Sequence, residues 1–223
     1  KVFLLIGHIL SACIQCLIFP FLPYRPKSKL IQIWSRTLLR IFNIRLTIHG
    51  NRELLNDRQS ALVVSNHISW IDIHVINTVS PVIFVAKSDV AKWPIFGWMA
   101  KQLGTLFIKR DSVRHARQVV NQMAEVLKAN SVCIFPEGTS TAGESVLPFK
   151  SNLFESAIVS QVPVYPLAIR YLSKTTRARS DAPAFIGDMG LLESMSNIIK
   201  NRTLVAQITF LPPCGNPHNS GVD

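Results

Sequence analysis

The stretch ALVVSNHISWID, residues 61–72, decides the fold class that the sequence predicts. Its first five residues form a short apolar run that is typical of a buried strand, and the residues from Asp72 to Val79 favour a helix. Further strands are predicted at 44–49, 82–86, 132–135, 162–169 and 203–211, and they alternate with helices predicted at 94–102, 112–129 and 152–160. This alternation predicts an α/β fold, with a mixed, largely parallel sheet flanked by helices.

The same stretch carries a histidine and a carboxylate, His67 and Asp72, directly after the predicted strand. Ligands of α/β sheets bind beyond the carboxyl ends of the strands. Across a strand-to-helix turn the two side chains can meet, and the carboxylate then holds the imidazole tautomer and stabilises its protonated form. The alternative is structural, because Ser69 and Asp72 also fit a capping box. Ser65 and Ser69 flank His67, but the chain contains no G-x-S-x-G elbow that would favour a serine nucleophile.

Three further motifs end or follow predicted strands. In GTLFIKR, residues 104–110, Lys109 and Arg110 offer a point charge and a bidentate fork to an anion, or form a solvated strand end. In FPEGTS, residues 135–140, the turn offers backbone N–H groups to an anion, or is a plain turn. In VPVYP, residues 162–166, two prolines indicate an edge or irregular strand.

The first 43 residues are apolar and basic, and they contain no acidic residue. Residues 2–22 form an apolar stretch long enough to cross a bilayer, which needs about 20 residues. Polar residues within it and prolines at its end favour a membrane-embedded or re-entrant helix over a full span or a cleaved signal. After a basic, proline-rich turn at 23–29, residues 30–43 predict an amphipathic helix with Trp34 on its apolar face. Such a helix lies in the membrane interface or packs on the core.

The composition fits a protein that works at a membrane. Of its 223 residues 48% are hydrophobic and only 17% are charged, while the net charge is +11. A basic balance suits nucleic acid or an anionic membrane surface, and the basic residues beside long apolar runs favour the membrane over nucleic acid. The four cysteines show no metal-ligand spacing, and Cys13 and Cys16 lie within an apolar helical run, so neither a metal site nor a redox pair is predicted.

The four motifs stand in a specific order along the chain. They read N-H-x-x-x-x-D, G-x-x-F-I-x-R, F-P-E-G-T and V-P-V-x-P, and they lie at 66–72, 104–110, 135–139 and 162–166. In this order and spacing the chain resembles the glycerolipid acyltransferase family, typified by the 1-acylglycerol-3-phosphate acyltransferases. The resemblance covers roughly residues 30–211.

The resemblance implies that a fatty acyl group moves from acyl-CoA or acyl-carrier protein to the hydroxyl of a lysophospholipid, with 1-acylglycerol-3-phosphate as acceptor and phosphatidic acid as product. It implies that His67 deprotonates the hydroxyl and that Asp72 orients His67. The residues implied to bind the acceptor's phosphate and glycerol are Arg110, Glu137, Gly138 and Thr139. It also implies an N-terminal helical pair embedded in the membrane, and it requires neither a metal nor a tightly bound cofactor.

One position departs from the family pattern. Many members that use lysophosphatidic acid carry arginine after F-P-E-G-T, whereas this chain has Ser140. The run TSTAGESVLPFKSNLF, residues 139–154, resembles a bacterial branch that includes lyso-ornithine-lipid acylating enzymes. Lys150 is then either a replacement cation in the acceptor site or a solvated strand-end residue. The alternatives are therefore a lyso-ornithine-lipid O-acyltransferase and, from another class, a catalytically inactive membrane scaffold.

These expectations divide the chain into three parts. Residues 1–43 form a membrane-associated helical segment, residues 44–211 the acyltransferase catalytic domain, and residues 212–223 a flexible tail. We expect the protein at the cytoplasmic face of a bacterial inner membrane. Its expected partners there are membrane lipids and the acyl donor, and not nucleic acid.

Overall fold

The computed structural model describes residues 1–51, 60–108, 113–201 and 203–214, except the side chains of 113–116. Seven helices lie in these ranges: α1 (Val2–Ile18), α2 (Tyr24–Ile41), α3 (Ile71–Asn77), α4 (Phe96–Gln102), α5 (Val113–Leu127), α6 (Glu155–Ser160) and α7 (Leu191–Lys200). The same ranges contain seven strands: β1 (Ile44–His49), β2 (Leu62–Ser65), β3 (Ile83–Lys87), β4 (Leu106–Ile108), β5 (Val132–Ile134), β6 (Val164–Ser173) and β7 (Leu204–Phe210). Short 3₁₀ turns occur at Phe19–Phe21, Ser88–Lys92 and Ser151–Phe154.

The strands form one sheet in the order β1-β7-β6-β2-β5-β3-β4. Every neighbouring pair is parallel except β6 and β7, which run antiparallel. The predicted mixed, largely parallel sheet is therefore confirmed. Strand β2 lies at the centre of the sheet and ends at Ser65. The segment that follows it, residues 66–72, consequently leaves the sheet at the carboxyl edge, where ligands of α/β sheets bind.

Strand β6 includes Pro166 of the VPVYP motif and lies inside the sheet, between β7 and β2. The prediction of an edge position is therefore wrong. The carbonyl of Pro166 accepts the N–H of Leu211 at 3.0 Å. Because the nitrogen and carbonyl of one strand residue face the same side, the Pro166 nitrogen faces the chain just beyond the end of β7. It interrupts no bond to β2, and Pro163 precedes the strand, so both prolines are tolerated.

Two helices, α1 and α2, precede the sheet. Helix α2 starts at Tyr24, so most of the predicted turn at 23–29 is helical. Pro26 fits there because it stands in the first helical turn, where an N–H has no partner within the helix. The segment Val2–Phe21 is long and apolar enough to cross a membrane, and 22% of its most apolar 18-residue window is buried. The embedding of the pair in a membrane, like the division of the chain at residue 43, stays a prediction.

Helix α2 is bound to α3 by polar side chains. The guanidinium of Arg36 donates to the carbonyl of Thr78 through Nε and Nη2, at 3.2 and 2.9 Å. Gln32 donates to the carbonyl of Val79 at 2.9 Å. Both carbonyls lie just after α3, where a helix end leaves acceptors unsatisfied. The N-terminal pair is therefore attached to the helix that contains Asp72, and Arg36 contacts protein.

The two faces of the sheet carry separate apolar clusters. Val63 of β2 belongs to a cluster with buried residues of α2, α3 and α7. Leu62 and Val64 belong to a second cluster with buried residues of α5 and α6. Alternate residues of a strand point to opposite faces, which explains the division. The segment 66–72 follows β2 and contributes Ile68 and Ile71 to the first cluster.

Helix α7 is absent from the sequence-based prediction. Its residues Leu191, Met195 and Ile198 recur at helical spacing, and Met195 and Ile198 are buried against the first cluster. The buried hydroxyl of Ser194 accepts the indole N–H of Trp70 at 3.0 Å. Helix α7 therefore supports the segment 66–72, although Trp70 and Ser194 are 124 residues apart in sequence.

Candidate active site

His67 and Asp72 meet across the turn between β2 and α3. Asp72 Oδ2 lies 2.9 Å from His67 Nδ1. Asp72 is fully buried, whereas 22% of the His67 side chain is exposed. Because a carboxylate accepts, Nδ1 carries the hydrogen in this bond, and Nε2 is the nitrogen left to take a proton from another group.

The Asp72 carboxylate accepts three further hydrogen bonds. Oδ2 accepts the backbone N–H of Ile68 at 2.7 Å and that of Ser69 at 2.9 Å. Oδ1 accepts the phenolic O–H of Tyr171 at 2.7 Å. The bond from Ser69 is the capping interaction that the structural alternative predicted, so Asp72 shapes the turn and binds His67 at once. Burial and the neighbouring Asp72 raise the pKa of Tyr171 well above its ordinary value, which keeps this donor protonated.

Two polar side chains hold the backbone around His67. Asn66 accepts the N–H of Ile169 at 2.7 Å and donates to the carbonyl of the same residue at 3.0 Å. Glu137 accepts the N–H of His67 at 2.7 Å through Oε1 and the N–H of Leu147 at 2.8 Å through Oε2. Glu137 is buried, and both of its oxygens are bonded to the backbone. Its geometry therefore favours a role in placing His67 over the predicted contact with a substrate.

The His67 ring is also fixed by aromatic packing. It stacks on Phe135 with the ring centroids 4.0 Å apart and an interplanar angle of 15°. Phe135 in turn lies 6.1 Å from the ring of Phe84, again nearly parallel. The carbonyl of His67 accepts the N–H of Thr141 at 2.9 Å. These contacts hold His67 against the segment that follows β5, and one edge of the ring remains open.

That edge faces a cavity of about 480 Å³. Its walls come mainly from α1, α2, α3, β3 and α4 and are largely apolar and aromatic; they include Leu5, Trp34, Leu38, Phe84 and Met99. His74 lies on the same wall, and its pKa is lowered to about 3 by burial and, to a lesser extent, by His8. His74 is consequently neutral at physiological pH. An apolar space that is lined by a base suits a hydrocarbon chain with a reactive group at its head.

The turn after β5 also borders this cavity. Gly138, Thr139 and Ser140 line it together with His67. Gly138 has a φ of 77°, a left-handed conformation that favours glycine. The hydroxyl of Ser140 donates to the carbonyl of Phe185, another lining residue. The structure thus places Gly138 and Thr139 beside the base, while their predicted contact with an acceptor stays a prediction.

The cationic residues predicted to bind the acceptor, Arg110 and Lys150, differ in what the structure shows of them. Lys150 is exposed and is not among the residues that line the cavity. Arg110 lies outside the described residues, and its predicted role stays a prediction. Lys87, which the sequence analysis did not consider, lines the cavity at the end of β3. It pairs with Ile108 of β4, two residues before Arg110 in the sequence. Lys87 is therefore a candidate partner for an anionic group.

Sequence reasoning also missed Tyr171 and the backbone roles of Asn66 and Glu137. Tyr171 follows Asp72 by 99 residues, so no local spacing relates the two. The signal that the sequence does contain is the alternation Leu167, Ile169, Tyr171, which places a phenolic hydroxyl on the same buried face as two aliphatic residues. A hydroxyl on such a face requires a hydrogen-bond partner.

Comparison with known proteins gives a consistent result. The model of the acyltransferase family matches residues 45–170. A lyso-ornithine lipid O-acyltransferase of Rhizobium meliloti (strain 1021) is 34% identical over 202 residues, which cover 85% of this chain and 68% of that protein. A 1-acyl-sn-glycerol-3-phosphate acyltransferase of Neisseria gonorrhoeae is 35% identical over 151 residues, which cover 67% of this chain and 58% of that protein.

A solved structure shares the fold. The crystal structure of the 1-acyl-sn-glycerophosphate acyltransferase from Thermotoga maritima superimposes with a TM-score of 0.66. The match covers 99% of this chain and 85% of the other, at 19% sequence identity. The similarity therefore extends over the two N-terminal helices as well as the sheet.

Proposed function

Because this chain belongs to the acyltransferase family, we propose that it transfers a fatty acyl chain from a thioester to the hydroxyl of a lyso-lipid. The observation that carries the proposal is the bonded pair of His67 and Asp72 on the wall of an apolar cavity. An alcohol is a weak nucleophile and needs a base, and the cavity offers the acyl chain an apolar environment next to that base. A chain that catalyses this transfer is not the catalytically inactive membrane scaffold that the sequence analysis gave as an alternative.

The proposed reaction proceeds by direct transfer. His67 Nε2 takes the proton of the acceptor hydroxyl while the oxygen attacks the thioester carbonyl. The carbon–sulfur bond then breaks, and the sulfur leaves as a thiol with the proton that His67 returns. Asp72 stabilises the imidazolium between these two steps. The donor is acyl-CoA or acyl-carrier protein, and the step requires no metal or tightly bound cofactor.

For the acceptor we propose lyso-ornithine lipid first and 1-acylglycerol-3-phosphate second. Two observations favour the first. The similarity to the Rhizobium meliloti protein spans more of this chain than the similarity to the Neisseria gonorrhoeae protein. Ser140, at the position where users of lysophosphatidic acid often carry arginine, lines the cavity. The anionic group of either acceptor would be bound by Arg110, with Lys87 as a second cation.

The test of the function is a thiol-release assay with the purified protein in detergent. Palmitoyl-CoA is the donor, and lyso-ornithine lipid or 1-oleoylglycerol-3-phosphate is the acceptor. We expect thiol release that depends on the acceptor, faster with lyso-ornithine lipid, and a diacylated lipid as product. Absence of turnover with both acceptors, with palmitoyl-CoA and with palmitoyl-carrier protein, would overturn the proposal.

Replacing Ser140 by arginine should shift acceptor preference toward 1-acylglycerol-3-phosphate. The change adds a cation to the cavity wall, and a charge-assisted bond to phosphate should improve relative kcat/KM for that acceptor by about tenfold. The measurement is the ratio of kcat/KM values for the two acceptors. Ser145→Arg adds the same charge at an exposed position outside the cavity lining and should leave the ratio unchanged. An unchanged ratio in Ser140→Arg would place acceptor choice elsewhere.

We also propose that α1 and α2 embed the protein in the cytoplasmic face of a bacterial inner membrane. Helix α1 buries one face, formed by Leu5, Ala12 and Cys16, against the rest of the chain. Its other sides expose large apolar side chains, among them Phe3, Leu4, Leu10, Ile14 and Leu17. An apolar helix that is exposed on most sides and attached on one is suited to lie in a membrane beside the protein.

High salt should release little of the protein from membranes, whereas detergent should extract it, because burial of apolar surface dominates the attachment. The measurement is the fraction sedimenting with vesicles after each treatment. Replacing Phe3, Leu10 and Leu17 together by serine should raise the soluble fraction. The control replaces Ile158 and Val159 of α6 by serine. These residues are exposed but remote in sequence from α1, and their replacement should not raise the soluble fraction. Release of the unaltered protein by salt alone would contradict this prediction.

A further inference from the structure

We propose that Tyr171 is a positioning residue for the acyl transfer, because its hydroxyl fixes the Asp72 carboxylate so that Oδ2 stays bonded to His67 Nδ1. The inference rests on the proposed function and deepens it, since it assigns a third side chain to the pair that activates the acceptor. Tyr171 reaches the reaction only through Asp72.

The two oxygens of Asp72 are held by different parts of the fold. The donors to Oδ2 are His67, Ile68 and Ser69, which all belong to the segment that Asp72 itself terminates. The donor to Oδ1 is Tyr171, at 2.7 Å, from the sheet. Bonds within one short turn move together with the turn. Among the described residues, Tyr171 is therefore the donor that ties the Asp72 carboxylate directly to a part of the fold outside its own turn.

Tyr171 is rigidly placed. It is 1% exposed and lies near the carboxyl end of β6, where it pairs with Ala206 of β7. Its phenol is one of the largest fully buried side chains. Close packing leaves such a ring no alternative rotamer without a cavity, so its hydroxyl is a fixed donor.

The charges around His67 and Asp72 allow an uncharged donor, the Tyr171 hydroxyl, to influence the Asp72 carboxylate. Within the described ranges, the ionisable groups that face Asp72 are His67, Tyr171 and Cys133 of β5, and Glu137 faces the backbone of His67. Burial and Asp72 raise the pKa of Cys133, so this thiol is neutral. Among the described residues, no lysine or arginine forms an ion pair with Asp72. Neutral donors thus stabilise the carboxylate without cancelling its attraction for the imidazolium.

Tyr171→Phe removes the hydroxyl and keeps the ring. The loss of one bond to a charged group should lower kcat/KM on the order of tenfold, mostly through kcat. A carboxylate with one donor fewer holds the imidazolium more strongly, so the acidic limb of the kcat/KM profile should move to higher pH. A purely structural role would not move this limb. The assay uses palmitoyl-CoA and lyso-ornithine lipid, or 1-oleoylglycerol-3-phosphate where that lipid is the substrate.

Tyr165→Phe is the matched control. Tyr165 lies in the same strand and is partly buried, and its hydroxyl makes no hydrogen bond to the part of the chain that the structure describes. This variant should retain the wild-type rate and pH profile, and thermal unfolding should show that both variants are folded. A second readout is the pair of changes Tyr171→Phe and Asp72→Ala. Because Tyr171 acts through Asp72, its replacement should cost nothing further in the Asp72→Ala background, where residue 72 offers the hydroxyl no partner.

Three results would overturn the inference: a wild-type rate in Tyr171→Phe, a lower rate with an unmoved acidic limb, or an additive loss in the double variant. Each of them leaves the proposed function standing, provided that His67→Ala is inactive in the same assay. Wild-type turnover by His67→Ala would instead overturn the proposed mechanism. The two failures are therefore distinguishable.

Discussion

Replacing His67 by alanine should lower kcat/KM for acyl transfer by about 10²–10⁴-fold, the usual contribution of a general base. Nε2 of His67 is the nitrogen left to accept a proton, since Nδ1 is bonded to Asp72 at 2.9 Å. The ring is partly exposed at the cavity wall and stacks on Phe135, so its removal should leave the fold intact. The measurement is thiol release from palmitoyl-CoA in the presence of the acceptor.

The control for this change is His49→Ala. His49 is an exposed histidine at the end of β1 and should be replaceable without loss of rate. Sedimentation with vesicles and thermal unfolding should match the wild type for both variants. Near-normal turnover by His67→Ala would show that another group activates the acceptor and that the mechanism is wrong.

Replacing Asp72 by asparagine should also lower kcat by about 10²–10⁴-fold, because the imidazolium loses its charged partner. The shape of the site should persist. The amide oxygen can still accept from His67, Ile68 and Ser69, and the amide nitrogen can donate to the hydroxyl of Tyr171, which then acts as acceptor. The loss of rate should therefore report the charge of Asp72 rather than collapse of the turn.

Asp181→Asn is the matched control for this second change. Asp181 is exposed and forms a surface ion pair with Arg179, and pairs of this kind contribute little to stability. Its replacement should leave kcat unchanged. If Asp72→Asn retained most of the rate while unfolding at the wild-type temperature, Asp72 would be a helix cap and not a catalytic partner.

The class of the protein was accessible from the sequence because its signals are local and ordered. Four short motifs occur in sequence order, and the resemblance to the acyltransferase family that they indicated is confirmed by the family match over residues 45–170. The α/β fold with a mixed, largely parallel sheet is also confirmed. Both conclusions depend on residues close together in the chain: short apolar runs, and a histidine five residues from an aspartate.

Positions within the sheet were less accessible. The prolines of VPVYP indicated an edge or irregular strand, but β6 lies between two neighbours. Pro166 is tolerated there because its nitrogen faces the chain just beyond the end of β7. Whether the backbone nitrogen of a strand residue needs a hydrogen bond depends on where the neighbouring strand on that side ends. The position where the neighbouring strand ends is a property of the assembled sheet, and no pattern within residues 162–166 predicts it.

By itself the sequence determined the pair of His67 and Asp72, since the carboxyl end of β2 and the start of α3 bring residues five apart into contact. Only the tertiary structure decided what surrounds the pair. Tyr171 reaches Asp72 from 99 residues away, and Glu137 reaches the backbone of His67 from 70 residues away. Local spacing encodes contacts within one turn, whereas contacts between strands depend on the order in which the sheet assembles them. The same assembly places α1 and α2 over the site and so forms the apolar cavity that faces His67.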